Sequence, residues 1–553
     1  MKPIIYQLFP RTFTNYNETR KPNGTKEENG CGKFADITPK ALKAIQDLGA
    51  THIWYTGVVR HATAEYNTPA ITKGKAGSPY AITDYYDVDP DLAVDVNKRM
   101  AEFEALIRRT HKQGLKVIID FVPNHVAREY KSLCKPEGFK DLGEDDHPEW
   151  AFSPLNNFYY LPGEKFQPSF DIGDYNEFPA KVTGNDCFTA HPSQNDWYET
   201  VKLNYGVFYQ GGGEKQFNPI PSTWDRMIYI LSYWARKGVD AFRVDMAEMV
   251  PIEFWRWVIP QIHTFFPDVE FIGEVYNPRL YREFINAGFD YLYDKVGMYD
   301  YLRGVTSKSW AAEGITHHWQ AVDDIRDKML YFLENHDEQR IASGFFCGSG
   351  HCAAPAMTVA ALLGRNPVMV YAGQELGEKG MDAEGFSGMD GRSTIFDYWG
   401  IKSLQAWANH GKFDGKNLSD EQRSLRQFYQ KLLCLARDNK AVTDGLMYDL
   451  EYAQNEGFDK HEQFAFLRKA DEELLLVVVN FDDKQRDICV TIPEDAFHYL
   501  NQPQLEKAVA TDLLTDTVLT NVSFTADKPL AVTLPAWTGA VYRIVDATKK
   551  KKE

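Results

Sequence analysis

The sequence predicts an α/β protein: a closed (β/α)8 TIM barrel with an inserted domain after strand 3 and a C-terminal antiparallel β-sandwich domain. Three observations predict it. Eight short apolar runs alternate with helical patterns, the count of such a barrel. The interval between the third and fourth runs is too long for a single connection. The last hundred or so residues carry β-branched runs with no helices between them.

In order, the candidate strands are Ile4–Phe9, His52–Tyr55, Lys116–Phe121, Val239–Asp245, Val269–Glu274, Phe289–Leu292, Met329–Leu333 and Pro367–Tyr371. Helical spacing fills the gaps at Pro39–Leu48, Met100–Gln113, Thr223–Lys237 and Ile252–Phe265. The glycines before two strands, Gly114 and Gly238, read as helix C-caps. The barrel therefore takes residues 1–123 and 222–443. Residues 124–221, rich in Pro, Gly, Asn and aromatics, form the insert. From 444 to 553, "QFAFLR", "ELLLVVVNF", "DICVTI" and "AVYRIV" predict the β domain.

A chain of 553 residues, 44% hydrophobic and 25% charged, buries a large core and reads as soluble and globular. Its formal charge of −17 argues against a nucleic-acid partner. The aromatic share, 14%, suits stacking on sugar rings as well as core packing. The longest aliphatic run, Leu474–Val479, is too short to span a bilayer, so no membrane is expected. Seven scattered cysteines and no signal peptide predict free thiols and a cytoplasmic location. Cys347, His351 and Cys352 offer only three ligands at irregular spacing, so a loop is expected there rather than zinc.

The fourth strand, in "GVDAFRVDMAE", poses the functional question. Val239, Ala241, Arg243 and Asp245 share one strand face, and charges on an inward face must be paired or used. Chemistry in such barrels sits at the C-terminal strand ends. There the third strand brings Asp120, Asn124 and His125, the fourth Arg243 and Asp245, the fifth Glu274, and the seventh Asn335, His336 and Asp337. Each alone reads as a cap or turn residue; together they mark a rim. Carboxylates around one cavity suit acetal hydrolysis, one protonating the leaving oxygen and another attacking or stabilising the oxocarbenium-like centre.

"DFVPNH", "GVDAFRVD", "FIGEV" and "ENHD", in this order, resemble the four conserved segments of the α-amylase superfamily, glycoside hydrolase family 13. The resemblance implies a nucleophile at Asp245, an acid/base at Glu274 and a transition-state carboxylate at Asp337. It also implies sugar contacts from His125 and His336, an arginine at Arg243 in the same substrate-binding set that holds the nucleophile, support from Asp120, and a stacking tyrosine at Tyr80 in "GSPYAITDYYDVDP". The family mechanism is retaining, with the first two carboxyls expected about 5–5.5 Å apart. A structural Ca2+ is implied in many relatives, with Asn124 as one ligand and "DWYETVKLNYG" near another; "NYNETRKPNGTKEENG" is a second oxygen-rich stretch, read chiefly as a loop. No organic cofactor is implied.

One departure is visible. Glu248 stands where polymer-cleaving relatives carry the lysine of a Lys-His pair on the leaving-group side. The expected activity is hydrolysis of α-1,4 bonds in α-glucans or maltooligosaccharides. The alternatives are an α-glucan glucanotransferase or maltosyltransferase and a non-catalytic carbohydrate-binding protein.

Overall fold

The computed structural model describes residues 2–381 and 385–548. Eight parallel strands close into a barrel: β1 (Ile4–Leu8), β2 (His52–Tyr55), β3 (Lys116–Phe121), β4 (Ala241–Val244), β5 (Glu270–Gly273), β6 (Tyr291–Tyr293), β7 (Met329–Phe332) and β8 (Val368–Tyr371). Each expected strand is present, within two residues or so at its ends. Alternation explains their composition. Ile5, Trp54, Ile118, Ala241, Ile272, Tyr293, Leu330 and Met369 point inward and fill the barrel. Their neighbours, such as Tyr6, Ile53, Ile119 and Phe242, join the layer beneath the helices.

Helices α1 (Pro39–Asp47), α2 (Arg99–Lys112), α3 (Ser222–Arg236) and α4 (Ile252–Phe265) cover the outside. Helix α1 starts where Thr38 accepts from the Ala41 amide, with Pro39 in the first turn, where its missing N–H costs nothing. Gly114 and Gly238 have φ of 77° and 95°, the left-handed state that ends α2 and α3.

Between β3 and α3 the chain makes only short antiparallel pairs. His125–Ala127 pairs with Thr200–Lys202, and Tyr160–Leu161 with Ala180–Lys181. This stretch contributes most of a small apolar cluster that includes Tyr159, Phe166 and Val182. Arg128 lies 3.7 Å from the centre of the Phe166 ring and pairs with Glu177 at 2.8 Å, so its buried charge is compensated.

After helix α5 (Ala354–Leu362) and helix α6 (Asp420–Asp438) come eight strands: β9 (Leu446–Asp449), β10 (Gln463–Ala470), β11 (Glu473–Asn480), β12 (Arg486–Val490), β13 (Leu505–Asp512), β14 (Val518–Phe524), β15 (Leu530–Leu534) and β16 (Thr538–Asp546). They form a six-stranded sheet, β9-β10-β11-β16-β13-β14, and the pair β12-β15. Phe464, Phe466, Leu475, Val477 and Val479 face the barrel layer. Ala465, Leu467, Leu474, Leu476 and Val478 face the second core. Helix α5, buried at all nine positions, packs against β11 and β16. Gly539 permits the approach: a Cβ there would lie 2.1 Å from Thr358 Oγ1.

Two expectations are corrected or refined. Cys347 and Cys352 are joined by a disulfide closing a five-residue separation, so the cysteines are not all free; five thiols remain. This bond uses both sulfurs of the Cys347–His351–Cys352 group and leaves no zinc donor set there. In the oxygen-rich stretch after β1, Asn15, Asn17 and Asn29 accept from backbone amides of that same stretch, which folds as a polar loop closed by one capped helical turn, Lys26–Asn29.

Candidate active site

Arg243 is the centre of the rim. It is 1% exposed, and one guanidinium nitrogen donates to Asp245 Oδ1 at 2.8 Å. The other lies 2.8 Å from Glu274 Oε1, an ionic contact outside hydrogen-bond alignment. Its Nε donates to the Tyr293 hydroxyl at 3.2 Å, and Asp120 lies 3.5 Å away. The rings of Trp54, Tyr80 and Tyr293 surround the cation at 5.1–5.6 Å. The strand-face argument thus places the charges: Ala241 fills the barrel, Arg243 lies one layer higher, and Asp245 leaves the strand at the mouth.

Burial, then Glu274, pushes the Asp245 carboxyl well above its ordinary value, with Arg243 opposing. The two carboxyls thus crowd one guanidinium, and their mutual repulsion adds to burial in raising Asp245. Asp337 differs. It is open to the mouth, its side chain 44% exposed. What burial it has opposes the charge, but His336 and then Arg243 outweigh this and hold the carboxyl well below the usual range.

Tyr80 stacks on His336 with centroids 5.2 Å apart, and its hydroxyl meets His336 Nε2 at 2.6 Å. That nitrogen is also 3.0 Å from Asp337. Asp120 accepts from Trp54 Nε1 at 3.0 Å and from the Tyr80 hydroxyl at 3.3 Å. A cavity of about 300 Å3 opens beside His336 and Asp337, with Arg392, Thr394 and Asp397 in its wall. Arg392 Nε donates to the Asp337 carbonyl at 2.6 Å.

His125 packs against Trp197 at 5.2 Å. Burial, and then the ammonium groups of Lys202 and Lys73, lower it to about 3, so its imidazole is neutral. The surroundings of Asn124 test the calcium expectation. Asn124 Oδ1 accepts from Lys202 Nζ at 2.9 Å, while its amide nitrogen donates to the Gly184 carbonyl. Lys202 is 2% exposed and also pairs with Asp186 at 2.5 Å. A dication sharing these two oxygens would sit against a buried ammonium. The residues around Asn124 do not fit Ca2+ as arranged.

The structure therefore gathers Asp120, Arg243, Asp245, Glu274, His336, Asp337 and Tyr80, with His125 beside them on the insert side. Sequence reading missed Gln7, whose side-chain nitrogen lies 2.8 Å from His336 Nδ1. It also missed Trp54, Tyr276, Tyr293 and Lys202. Gln7 carried a usable signal: a polar residue on the inward face of an apolar strand, the rule that singled out Arg243.

A closed parallel barrel thus gathers carboxylates around one arginine at its C-terminal mouth, the end at which TIM-barrel enzymes carry their chemistry. The comparisons name the class. The family model "Alpha amylase, catalytic domain" matches residues 7–474. "Alpha-amylase 3" of Dictyoglomus thermophilum is 23% identical over 470 residues, 80% of this chain and 78% of its own. "Oligo-1,6-glucosidase" of Halalkalibacterium halodurans is 22% identical over 563 residues, covering 86% and 89%. The crystal structure of a noncanonic maltogenic alpha-amylase from Thermotoga neapolitana superposes with a TM-score of 0.64 at 18% identity, covering 98% of each chain. The chain belongs to the alpha-amylase family, and it is a glycoside hydrolase.

Proposed function

We propose that this enzyme hydrolyses α-1,4-glucosidic bonds in α-glucans or maltooligosaccharides by retaining double displacement. The observation that carries the reading is the Arg243 bridge, 2.8 Å to Asp245 and 2.8 Å to Glu274. It holds two carboxyls of unequal role around one cation. Asp245 attacks the anomeric carbon as a carboxylate, while Glu274 in its acid form delivers a proton to the leaving oxygen. Glu274 then takes a proton from water, which cleaves the glycosyl–Asp245 ester. Asp337, ionised and at the mouth, binds sugar hydroxyls and offsets positive charge on the ring. Tyr80 stacks on that sugar, and His125 and His336 bind it, with Asp120 supporting Tyr80 and Trp54.

Residues 124–221 act in this reading as the inserted wall of the site, and 444–553 as a domain that packs on the barrel. No helix among the described residues is long and apolar enough to cross a membrane. Five of the seven cysteines are free thiols, and in a cytoplasmic setting imported oligosaccharides rather than starch granules are the substrate.

A transferase is the second reading, because Glu248 replaces the leaving-side lysine and the intermediate is common to both reactions. Maltoheptaose with wild type and Asp245→Asn is the test. Shorter products only, absent in the variant, support hydrolysis; products both longer and shorter support transfer; no turnover contradicts the α-1,4-glucan assignment.

A further inference from the structure

Glu248 and Tyr276 stand outside the roles proposed above, and the structure connects them. Glu248 Oε2 accepts from the backbone amides of Tyr276 at 3.3 Å and Asn277 at 3.0 Å, the loop that leaves β5. The Tyr276 hydroxyl donates to Glu274 Oε1 at 2.6 Å. The turn after β4 is bound to the same loop twice more. Ala247 N donates to the Glu274 carbonyl at 3.1 Å, and Met246 N donates to Glu274 Oε2 at 2.8 Å. Met246 has φ 45° and ψ 43°, a left-handed state that is strained for a residue with a side chain and persists only where its surroundings enforce it.

We infer that Glu248 and Tyr276 form one positioning device for Glu274: Glu248 fixes the loop backbone, and the loop's tyrosine hydroxyl fixes the carboxyl. This rests on the acid/base reading of Glu274 given above. The device explains the departure at position 248. A lysine there has no lone pair for two amides, whereas a carboxylate accepts both. A hydroxyl donating to a carboxyl favours its charged form over its neutral one. Removing it makes the acid hold its proton to higher pH and frees the carboxyl to swing. The other charged and titratable groups facing Glu274 or the Tyr276 hydroxyl, namely Arg243, Asp245, Tyr293 and Asp337, are unchanged by either substitution.

The test compares Tyr276→Phe, Glu248→Ala, their double variant and the conservative Glu248→Gln, each confirmed folded by thermal unfolding. The rate kcat/KM is measured against pH on maltoheptaose and on α-glucosyl fluoride, whose leaving group departs without a proton. Tyr276→Phe and Glu248→Ala are each expected to lower kcat/KM on maltoheptaose about tenfold and to move its alkaline limb upward. The double variant moves it no further, Glu248→Gln restores most of the rate, and α-glucosyl fluoride turnover changes less than about threefold. An unmoved limb, additive shifts, or equal losses on both substrates would overturn the device. Wild type inactive on both substrates would instead overturn the functional reading beneath it.

Discussion

Arg243 and Asp245, two positions apart on one strand face, meet at 2.8 Å where β4 opens into the barrel mouth. A charge pair this deep is maintained only by good geometry, because each ion alone costs several kcal/mol to desolvate. Replacing Arg243 by Lys keeps the charge but cannot present two nitrogens to two carboxyls. Turnover of maltoheptaose is expected to fall by about a hundredfold or more, read as kcat with KM changing less.

Calcium is expected to be dispensable. Lys202 already supplies the positive charge at Asn124, so chelation with EDTA should leave the unfolding temperature and the activity unchanged, and added Ca2+ should not raise either. Lys202→Met leaves the buried Asn124 oxygen without its donor and should destabilise by about 1–3 kcal/mol, measured by urea unfolding. Strong stabilisation of the wild type by Ca2+ would contradict this.

The pH profile follows from the neutral state of His125. Its imidazole is held at about 3, so it gains no proton above pH 4 or so. His125→Asn is therefore expected to lower kcat about tenfold or more by losing a sugar contact, while both limbs of the profile stay in place. A displaced acid limb would show that His125 titrates.

Glu451 makes stability depend on pH. Its side chain is 4% exposed, and both carboxyl oxygens lack a hydrogen-bond partner. Burial, then Asp449, raises it to about 8, with Lys460 opposing and Glu313 adding to the rise. A folded-state value above the unfolded one means that the folded protein binds the extra proton. This carboxyl therefore costs nothing below about pH 4, and stability falls progressively from there to about pH 8. Glu451→Gln should stabilise at pH 8 by on the order of 2 kcal/mol and change little at pH 4.

Much of this was legible in the sequence because strand alternation is strict. Period two places Ala241, Arg243 and Asp245 on the inward side without any knowledge of the partners. The same rule applied to Ile5 and Gln7 would have marked Gln7 as an inward polar residue. What the sequence could not show is pairing across distance. Lys202 meets Asn124 over 78 positions, and Glu248 meets the Tyr276 amide over 28. The Cys347–Cys352 bond was missed because scattered cysteines say nothing of which two meet.

The most direct test of the central claim is to trap the intermediate. The enzyme is incubated with 5-fluoro-α-glucosyl fluoride, whose fluorine slows breakdown of the glycosyl-enzyme, then digested and sequenced by mass spectrometry. A single fluoroglucosyl adduct on Asp245, absent in Asp245→Asn, is the predicted result. An adduct on another residue, or turnover of the reagent with inversion and no adduct, would contradict it.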